Sequence, residues 1–111
     1  VFFRFGWDKK WAIGEAGKPF IEDWPGTSKE VAEYLRDKGV KAVGCDTLAL
    51  DKFGSPGNPS HHVLLGSNIN IIENVNNLDI LPAFFGVIGF PCKFKDGSGS
   101  TLRLVAVLDK E

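Results

Sequence analysis

Apolar residues change their spacing along this chain, and each spacing predicts a different element. Short runs rich in β-branched and aromatic residues, "VFFRF" (1–5), "VKAVGCD" (40–46) and "INIIEN" (69–74), are typical of buried strands. "HHVLLG" (61–66) predicts one or two helical turns. Because a helix pattern lies between the first two strands, the N-terminal part is predicted to form a βαβ-like unit.

That intervening helix has the clearest pattern in the chain, "TSKEVAEYLRDKG" (27–39). Thr27 followed three residues later by Glu30 predicts a capping box at its start. Gly39 predicts its end, because glycine commonly occupies the position after a helix. Apolar residues repeat at helical spacing and predict the buried face: Val31, Tyr34 and Leu35.

The last third of the chain predicts a hairpin. "AFFGVIGFPCKF" (83–94) and "TLRLVAVL" (101–108) are strand patterns, and "DGSG" (96–99) between them is typical of a turn. Such strands are expected to pair antiparallel. With the helices and strands before them, they predict an α+β fold in a single domain, residues 1–111.

Composition is that of an ordinary globular protein, and it excludes some functions. The 111 residues are 43% hydrophobic and 24% charged, with a formal net charge of −1. This charge provides no general attraction to nucleic acid or to an anionic membrane. No apolar stretch approaches the roughly 20 residues of a membrane span, and a cytoplasmic location is expected. Cys45 and Cys92 lie in apolar runs, which favours buried free thiols over a disulfide.

Two predicted strands end on carboxylates. Alternation places Asp46 on the same face as Val40, Ala42 and Gly44. It places Glu73 on the same face as Ile69 and Ile71. Binding sites gather at the carboxyl ends of parallel strands, so these two acids could point into one crevice. The simpler alternative, favoured by the pattern alone, is that each strand ends in water.

The two histidines of the chain are adjacent, and one of them is predicted to face inward. In a helical turn, His61 shares a face with Leu64 and Leu65. His61 and Glu73 could both bind a metal such as Zn²⁺, although a catalytic zinc normally takes about three protein ligands. From the residues alone, a surface or core histidine is the favoured alternative. The chain contains no GxSxG, P-loop or GxGxxG motif that would indicate another chemistry.

Four segments in order resemble the C-terminal portion of the cyclase family of metal-dependent hydrolases, which includes kynurenine formamidase and isatin hydrolase. They are "VFFRFGWDKKW", "YLRDKGVKAVGCDTLALD", "HHVLLGSNINIIEN" and "GSTLRLVAV". The resemblance covers nearly the whole chain. It implies a swivelling β/β/α-type domain with a mixed sheet, incomplete in this chain.

The same resemblance implies roles for two residues. In the family, a histidine before the "LL" turn and a glutamate twelve residues later are metal ligands, and these match His61 and Glu73. The metal expected with such N and O ligands is Zn²⁺ or Mn²⁺. Asp46 and Asp51 match a further family pattern, but Ala49 stands where a serine is common. No catalytic residue is assigned within the chain, and the substrate-binding residues are unknown.

The main histidine-rich motif of the family lies upstream of this region and has no match in the chain. The resemblance implies hydrolysis of a small-molecule amide or lactam by metal-activated water, with this chain supplying two ligands. The alternative is a non-catalytic relative with a binding or structural role.

The chain contains no methionine and opens directly on a strand, so we expect it to be a piece of a longer protein. Residues 1–111 alone are then expected to bind metal weakly, to lack hydrolytic activity and not to persist as a soluble monomer. Their expected partners are the missing N-terminal half or further copies in a homo-oligomer.

Overall fold

The computed structural model describes residues 1–108 and comprises two compact units. The first unit is Val1–Asp79, and the second begins at Ile80. The first contains both α-helices and a parallel sheet, and the second contains an antiparallel hairpin. The α+β fold class predicted from the sequence is therefore confirmed.

Three short parallel strands form the sheet of the first unit, in the order β1-β2-β3. Phe2 lies opposite Gly44, and Val43 lies opposite Ile71. The predicted β-α-β succession is confirmed, since a helix lies between each strand and the next. The elements are β1 (Phe2–Phe3), α1 (Lys29–Asp37), β2 (Ala42–Cys45), α2 (Pro59–Leu65) and β3 (Asn70–Ile72).

The predicted loop between β1 and α1 contains two 3₁₀ helices, Trp7–Lys10 and Gly14–Phe20. β1 is shorter than the predicted strand, 1–5, and among the described strands it lies at an edge of its sheet. Its shortness has a visible cause, because the backbone turns at Gly6, where φ is 72°. A glycine adopts this left-handed conformation without the steric cost that a side chain imposes.

Both helices pack one face into a common core, but the faces differ from the predicted ones. In α1, Ala32 is fully buried, whereas the predicted core residue Tyr34 is 60% exposed. In α2, Leu64 is buried as predicted, but Leu65 is 54% exposed. The core residues are Ala32, Leu35, Val43, Cys45, Leu50, Leu64 and Ile69.

Helix α1 begins one residue later than predicted. The cap is Ser28, whose Oγ accepts a hydrogen bond from the Val31 N–H at 3.4 Å. Thr27 is buried instead, and its Oγ1 donates to Ser60 Oγ at 3.0 Å. The predicted capping box at Thr27 is therefore wrong, because a tertiary contact takes that hydroxyl. The predicted end is confirmed, with Gly39 at φ 70° after the last turn.

The second unit is the predicted antiparallel hairpin. β4 (Gly86–Pro91) pairs with β5 (Leu102–Val107), with Gly86 opposite Val107. Side chains of β5 alternate between half-buried and exposed, as expected for a strand with one covered face.

Both cysteines are free thiols, as predicted. Cys45 is buried in β2, but Cys92, which follows β4, is exposed, so its predicted burial is wrong. Within residues 1–108, no helix is long and apolar enough to cross a membrane.

Candidate metal centre

His61 lies in the first turn of α2 because the preceding residues start the helix there. Asn58 adopts a left-handed conformation, with φ 45°, and Pro59 takes the first helical position, where its missing N–H has no intrahelical partner to lose. Leu64, one turn after His61, is fully buried. The helix thus holds His61 on a partly covered face, while its neighbour His62 is exposed.

The side chains of His61 and Glu73 converge. His61 Nε2 lies 3.0 Å from Glu73 Oε1, and the two side chains are 28% and 29% exposed. The prediction that these residues meet is confirmed by this distance, although they lie on different elements and twelve positions apart. An imidazole nitrogen and a carboxylate thus face each other at a position that solvent can reach.

The other ring nitrogen of His61 faces a second carboxylate. His61 Nδ1 lies 2.6 Å from Asp51 Oδ2, and the Asp51 side chain is only 1% exposed. Asp51 also accepts hydrogen bonds from two backbone N–H groups at the start of α2, those of Ser60 at 2.8 Å and His61 at 3.1 Å. The carboxylate therefore holds both the His61 ring and the backbone that carries it.

Two opposing effects act on the pKa of Asp51. Burial by itself raises the pKa, because an ionised carboxylate loses its hydration. The hydrogen bonds from the His61 ring and from the backbone N–H groups of Ser60 and His61 favour the ionised form, and together they hold the pKa below its ordinary value. Asp51 is therefore an anion at neutral pH.

Leu50, the residue before Asp51, contacts Glu73. The Leu50 N–H donates to Glu73 Oε1 at 2.8 Å. Adjacent positions on one backbone segment thus hold Glu73, through the Leu50 N–H, and His61, through the Asp51 carboxylate. The separation between the two facing side chains depends directly on where this dipeptide lies.

Backbone contacts place the Leu50–Asp51 dipeptide against the start of α1. The Thr27 N–H donates to the Leu50 carbonyl at 2.8 Å, and Trp24 Nε1–H donates to the Asp51 carbonyl at 2.8 Å. A Cβ at Gly26 would overlap backbone atoms of residues 50–52, so this close approach requires glycine. Contacts to its backbone carbonyls and contacts of the Asp51 side chain therefore both hold the dipeptide in place.

Asp46, the other acid predicted to enter a common crevice, has a different role. Its carboxylate is fully buried and accepts from the backbone N–H groups of Phe5, Gly6 and Trp7, at 2.7–3.3 Å. These contacts secure the turn after β1, and each oxygen already has a backbone donor. The hypothesis of a crevice shared by Asp46 and Glu73 is not supported by these contacts.

The donor set suits a divalent metal in part. An imidazole nitrogen and a carboxylate are ordinary ligands of Zn²⁺ and Mn²⁺. Asp51 lies on the opposite edge of the His61 ring, where it can orient the ring but not share a metal with Nε2. Within residues 1–108, no three His, Cys, Asp or Glu side chains are grouped so as to hold a metal ion. The described residues thus offer two side chains of the type that binds such metals, His61 and Glu73, and one carboxylate that contacts the imidazole.

Sequence reasoning did not assign the Asp51 contact. Asp51 lies ten positions before His61 in a region without regular periodicity, so no local pattern reports that the two meet. The available signal was its match to a family pattern, which does not specify a partner.

Comparison with known proteins finds a family model and curated enzymes that are similar to this chain. The Cyclase family model, described as "Putative cyclase", matches residues 1–52. Kynurenine formamidase from Bacillus cereus is 29% identical over 86 residues, which cover 78% of this chain and 41% of that protein. Kynurenine formamidase from Bordetella avium matches with the same identity and coverage. The chain thus spans about two fifths of the length of these curated relatives.

Solved structures share the fold. A crystal structure of an isatin hydrolase bound to the product analogue thioisatinate superposes with a TM-score of 0.87 at 28% identity. The match covers 99% of this chain and 45% of that one. A "predicted metal-dependent hydrolase" from Bacillus stearothermophilus, at 22% identity, has a TM-score of 0.77 over 96% of this chain and 48% of its own, and shows the likeness of fold alone.

The family match lies in the N-terminal part of the chain, whereas the curated relatives and the isatin hydrolase fold extend over most of it. These three comparisons agree with the resemblance seen in the sequence motifs. The chain is therefore similar to proteins of the cyclase family of hydrolases, over its N-terminal part in the family model and over most of its length in the curated relatives.

Proposed function

We propose that this chain supplies two metal ligands, His61 Nε2 and the Glu73 carboxylate, to the active site of a metal-dependent hydrolase that cleaves amide or lactam bonds. The observation that carries the proposal is the 3.0 Å approach of these two groups on a partly exposed surface. A buried carboxylate behind the imidazole supports it, because metal-binding histidines commonly donate their other N–H to such a group.

Asp51, Glu73 and the Leu50 N–H have separate roles in this site. In this proposal, Asp51 accepts a hydrogen bond from His61 Nδ1–H, so that the Nε2 lone pair faces Glu73. Glu73 places a negative charge beside that lone pair, and the Leu50 N–H holds one of its oxygens. Zn²⁺ or Mn²⁺, when bound, would polarise the carbonyl of the substrate and activate a water molecule for hydrolysis.

Two ligands are fewer than the roughly three that a catalytic zinc normally takes from protein. The proposal therefore includes further ligands and a proton-transfer group from outside the described residues, in the same polypeptide or in a second copy. Two of the similar proteins are named kynurenine formamidase and isatin hydrolase, and these names refer to a formamide and to isatin, a lactam. Aryl amides and lactams are thus the substrate class to test first.

The test uses the native full-length protein and three single substitutions. His61→Ala and Glu73→Gln should each lower the bound-metal stoichiometry, measured by elemental analysis after dialysis. They should also lower hydrolysis of an aryl formamide and of isatin by at least tenfold. His62→Ala is the matched control, because its side chain is adjacent but exposed, and it should retain both metal and activity.

Two outcomes would contradict the proposal. Full metal content in both His61→Ala and Glu73→Gln would exclude these side chains as ligands. A native full-length protein that binds the metal through these residues but hydrolyses neither substrate class would favour a binding or structural role.

A further inference from the structure

His61 lies between two carboxylates, and the two contacts are unequal. The contact from Nδ1 to Asp51 Oδ2 is 2.6 Å, and the contact from Nε2 to Glu73 Oε1 is 3.0 Å. The Asp51 side chain is 1% exposed, whereas that of Glu73 is 29% exposed. An ionised carboxylate can only accept hydrogen bonds, so each competes for a proton on its side of the ring.

We propose that Asp51 is the positioning residue of this centre, and that it fixes His61 in the tautomer protonated on Nδ1. The inference rests on the proposed function, in which Nε2 is the metal-binding atom. Asp51 itself does not touch the metal or the substrate in this proposal. Its role is to determine which nitrogen of His61 carries the lone pair and where that lone pair points.

Asp51 is suited to this role because it cannot easily turn away. The Ser60 N–H binds one of its oxygens at 2.8 Å, and the His61 N–H binds the other at 3.1 Å. Rotation of the carboxylate would leave these backbone donors without their acceptor in a buried place, at a substantial free-energy cost. The short contact to Nδ1 is thus made by a side chain whose orientation the backbone already determines.

The same carboxylate also sets the position of the ring relative to Glu73. It binds the backbone N–H and the side-chain Nδ1 of His61 through one oxygen, Oδ2, which fixes the ring against its own backbone. The Leu50 N–H fixes Glu73 from the neighbouring residue. A loss of Asp51 should therefore disturb metal binding even though both ligands remain.

The test compares Asp51→Asn with Ser67→Ala in the native full-length protein. An amide has one oxygen in place of two, so Asp51→Asn places an NH₂ group against His61 or against the Ser60 N–H. Ser67→Ala is the structural control. It removes a hydroxyl just after the end of α2, one that donates to the Val63 carbonyl at 2.8 Å, but leaves the contact between Asp51 and His61 in place.

Two measurements report on the role. Long-range ¹H–¹⁵N spectra of the metal-free protein at alkaline pH should show neutral His61 protonated on Nδ1, with assignment from a His61→Gln variant. Asp51→Asn should move the population toward the Nε2-protonated form and weaken Zn²⁺ affinity by about 10–100-fold in calorimetric titration. Ser67→Ala should lower the melting temperature while leaving the tautomer and the Zn²⁺ affinity unchanged.

The outcomes separate this inference from the function on which it rests. If His61→Ala and Glu73→Gln weaken Zn²⁺ binding but Asp51→Asn does not, the positioning role is refuted and the proposed function stands. If His61→Ala and Glu73→Gln bind Zn²⁺ normally, the proposed function itself fails. If Asp51→Asn does not fold, the unmodified protein still decides, because neutral His61 protonated on Nε2 would overturn the inference.

Discussion

Removal of the Asp46 carboxylate should destabilise the protein without altering the candidate metal centre. The side chain is fully buried directly after β2 and accepts hydrogen bonds from three backbone N–H groups. The Phe5 N–H lies 3.0 Å from both oxygens, the Gly6 N–H lies 2.7 Å from Oδ2, and the Trp7 N–H is more distant at 3.3 Å. Asp46→Ala would leave all three donors without this acceptor.

The magnitude follows from the two shorter contacts. Hydrogen bonds to a charged group contribute about 1.5–3 kcal/mol each, so the bonds from Phe5 and Gly6 together contribute about 3–6 kcal/mol. Removing the carboxylate also removes the cost of burying its charge, which offsets part of this loss. We expect Asp46→Ala to lower the free energy of unfolding by about 2–4 kcal/mol, a large fraction of the 5–15 kcal/mol of a typical domain. Asp46→Asn keeps one oxygen and should lose less.

Urea denaturation of the native full-length protein measures this loss as a shift of the midpoint at constant slope. Asp37→Ala is the control, because that carboxylate is largely exposed beside Arg36, and its midpoint should not shift measurably. Zn²⁺ affinity should be unchanged in folded Asp46→Ala, since Asp46 has no contact with His61 or Glu73 among those described. An Asp46→Ala midpoint equal to that of Asp37→Ala would refute the structural role, and lost Zn²⁺ affinity would restore the shared-crevice hypothesis.

Two further predictions concern the core. Burial raises the pKa of the Cys45 thiol above its ordinary value of 9.0. As the pH rises, the thiol therefore ionises in the unfolded state before it does in the folded state, and the free energy of unfolding should fall above about pH 9. Urea titrations at several pH values measure this loss. Cys45→Ala should reduce the loss, whereas Cys92→Ala, at an exposed thiol, should not. Leu64 is fully buried, whereas Leu65 is 54% exposed. Leu64→Ala should therefore lower the free energy of unfolding by about 2–5 kcal/mol, and Leu65→Ala by much less. Equal shifts of the melting temperature in the two variants would contradict the assignment of Leu64 to the core.

The elements of this fold were largely predictable because each has a local cause. β2, β3 and both strands of the hairpin lie within runs of β-branched and aromatic residues. The end of α1 follows from Gly39, which adopts a left-handed conformation that other residues rarely take. Periodicity and glycine position act over a few residues, and a sequence displays them directly.

Local patterns failed where a distant group changed the outcome. Thr27 has a side chain that commonly caps helices, but its hydroxyl donates a hydrogen bond to Ser60, 33 positions away. Ser28 caps the helix instead. Asp46 has the pattern of a strand-end site residue, but the turn after β1 returns to it with three N–H groups. In both cases the competing partner was close in space and far in sequence.

The candidate metal centre divides in the same way. The sequence by itself determined that His61 starts a helical turn and that Glu73 follows a strand, and the family resemblance paired them. Only the tertiary structure decided that Asp51 lies behind the imidazole and that the Leu50 N–H binds Glu73. The physical reason is that hydrogen bonds depend on distances of about 3 Å and on direction. Such distances between separate segments are set by the packing of α2 and the parallel strands, which no local spacing encodes.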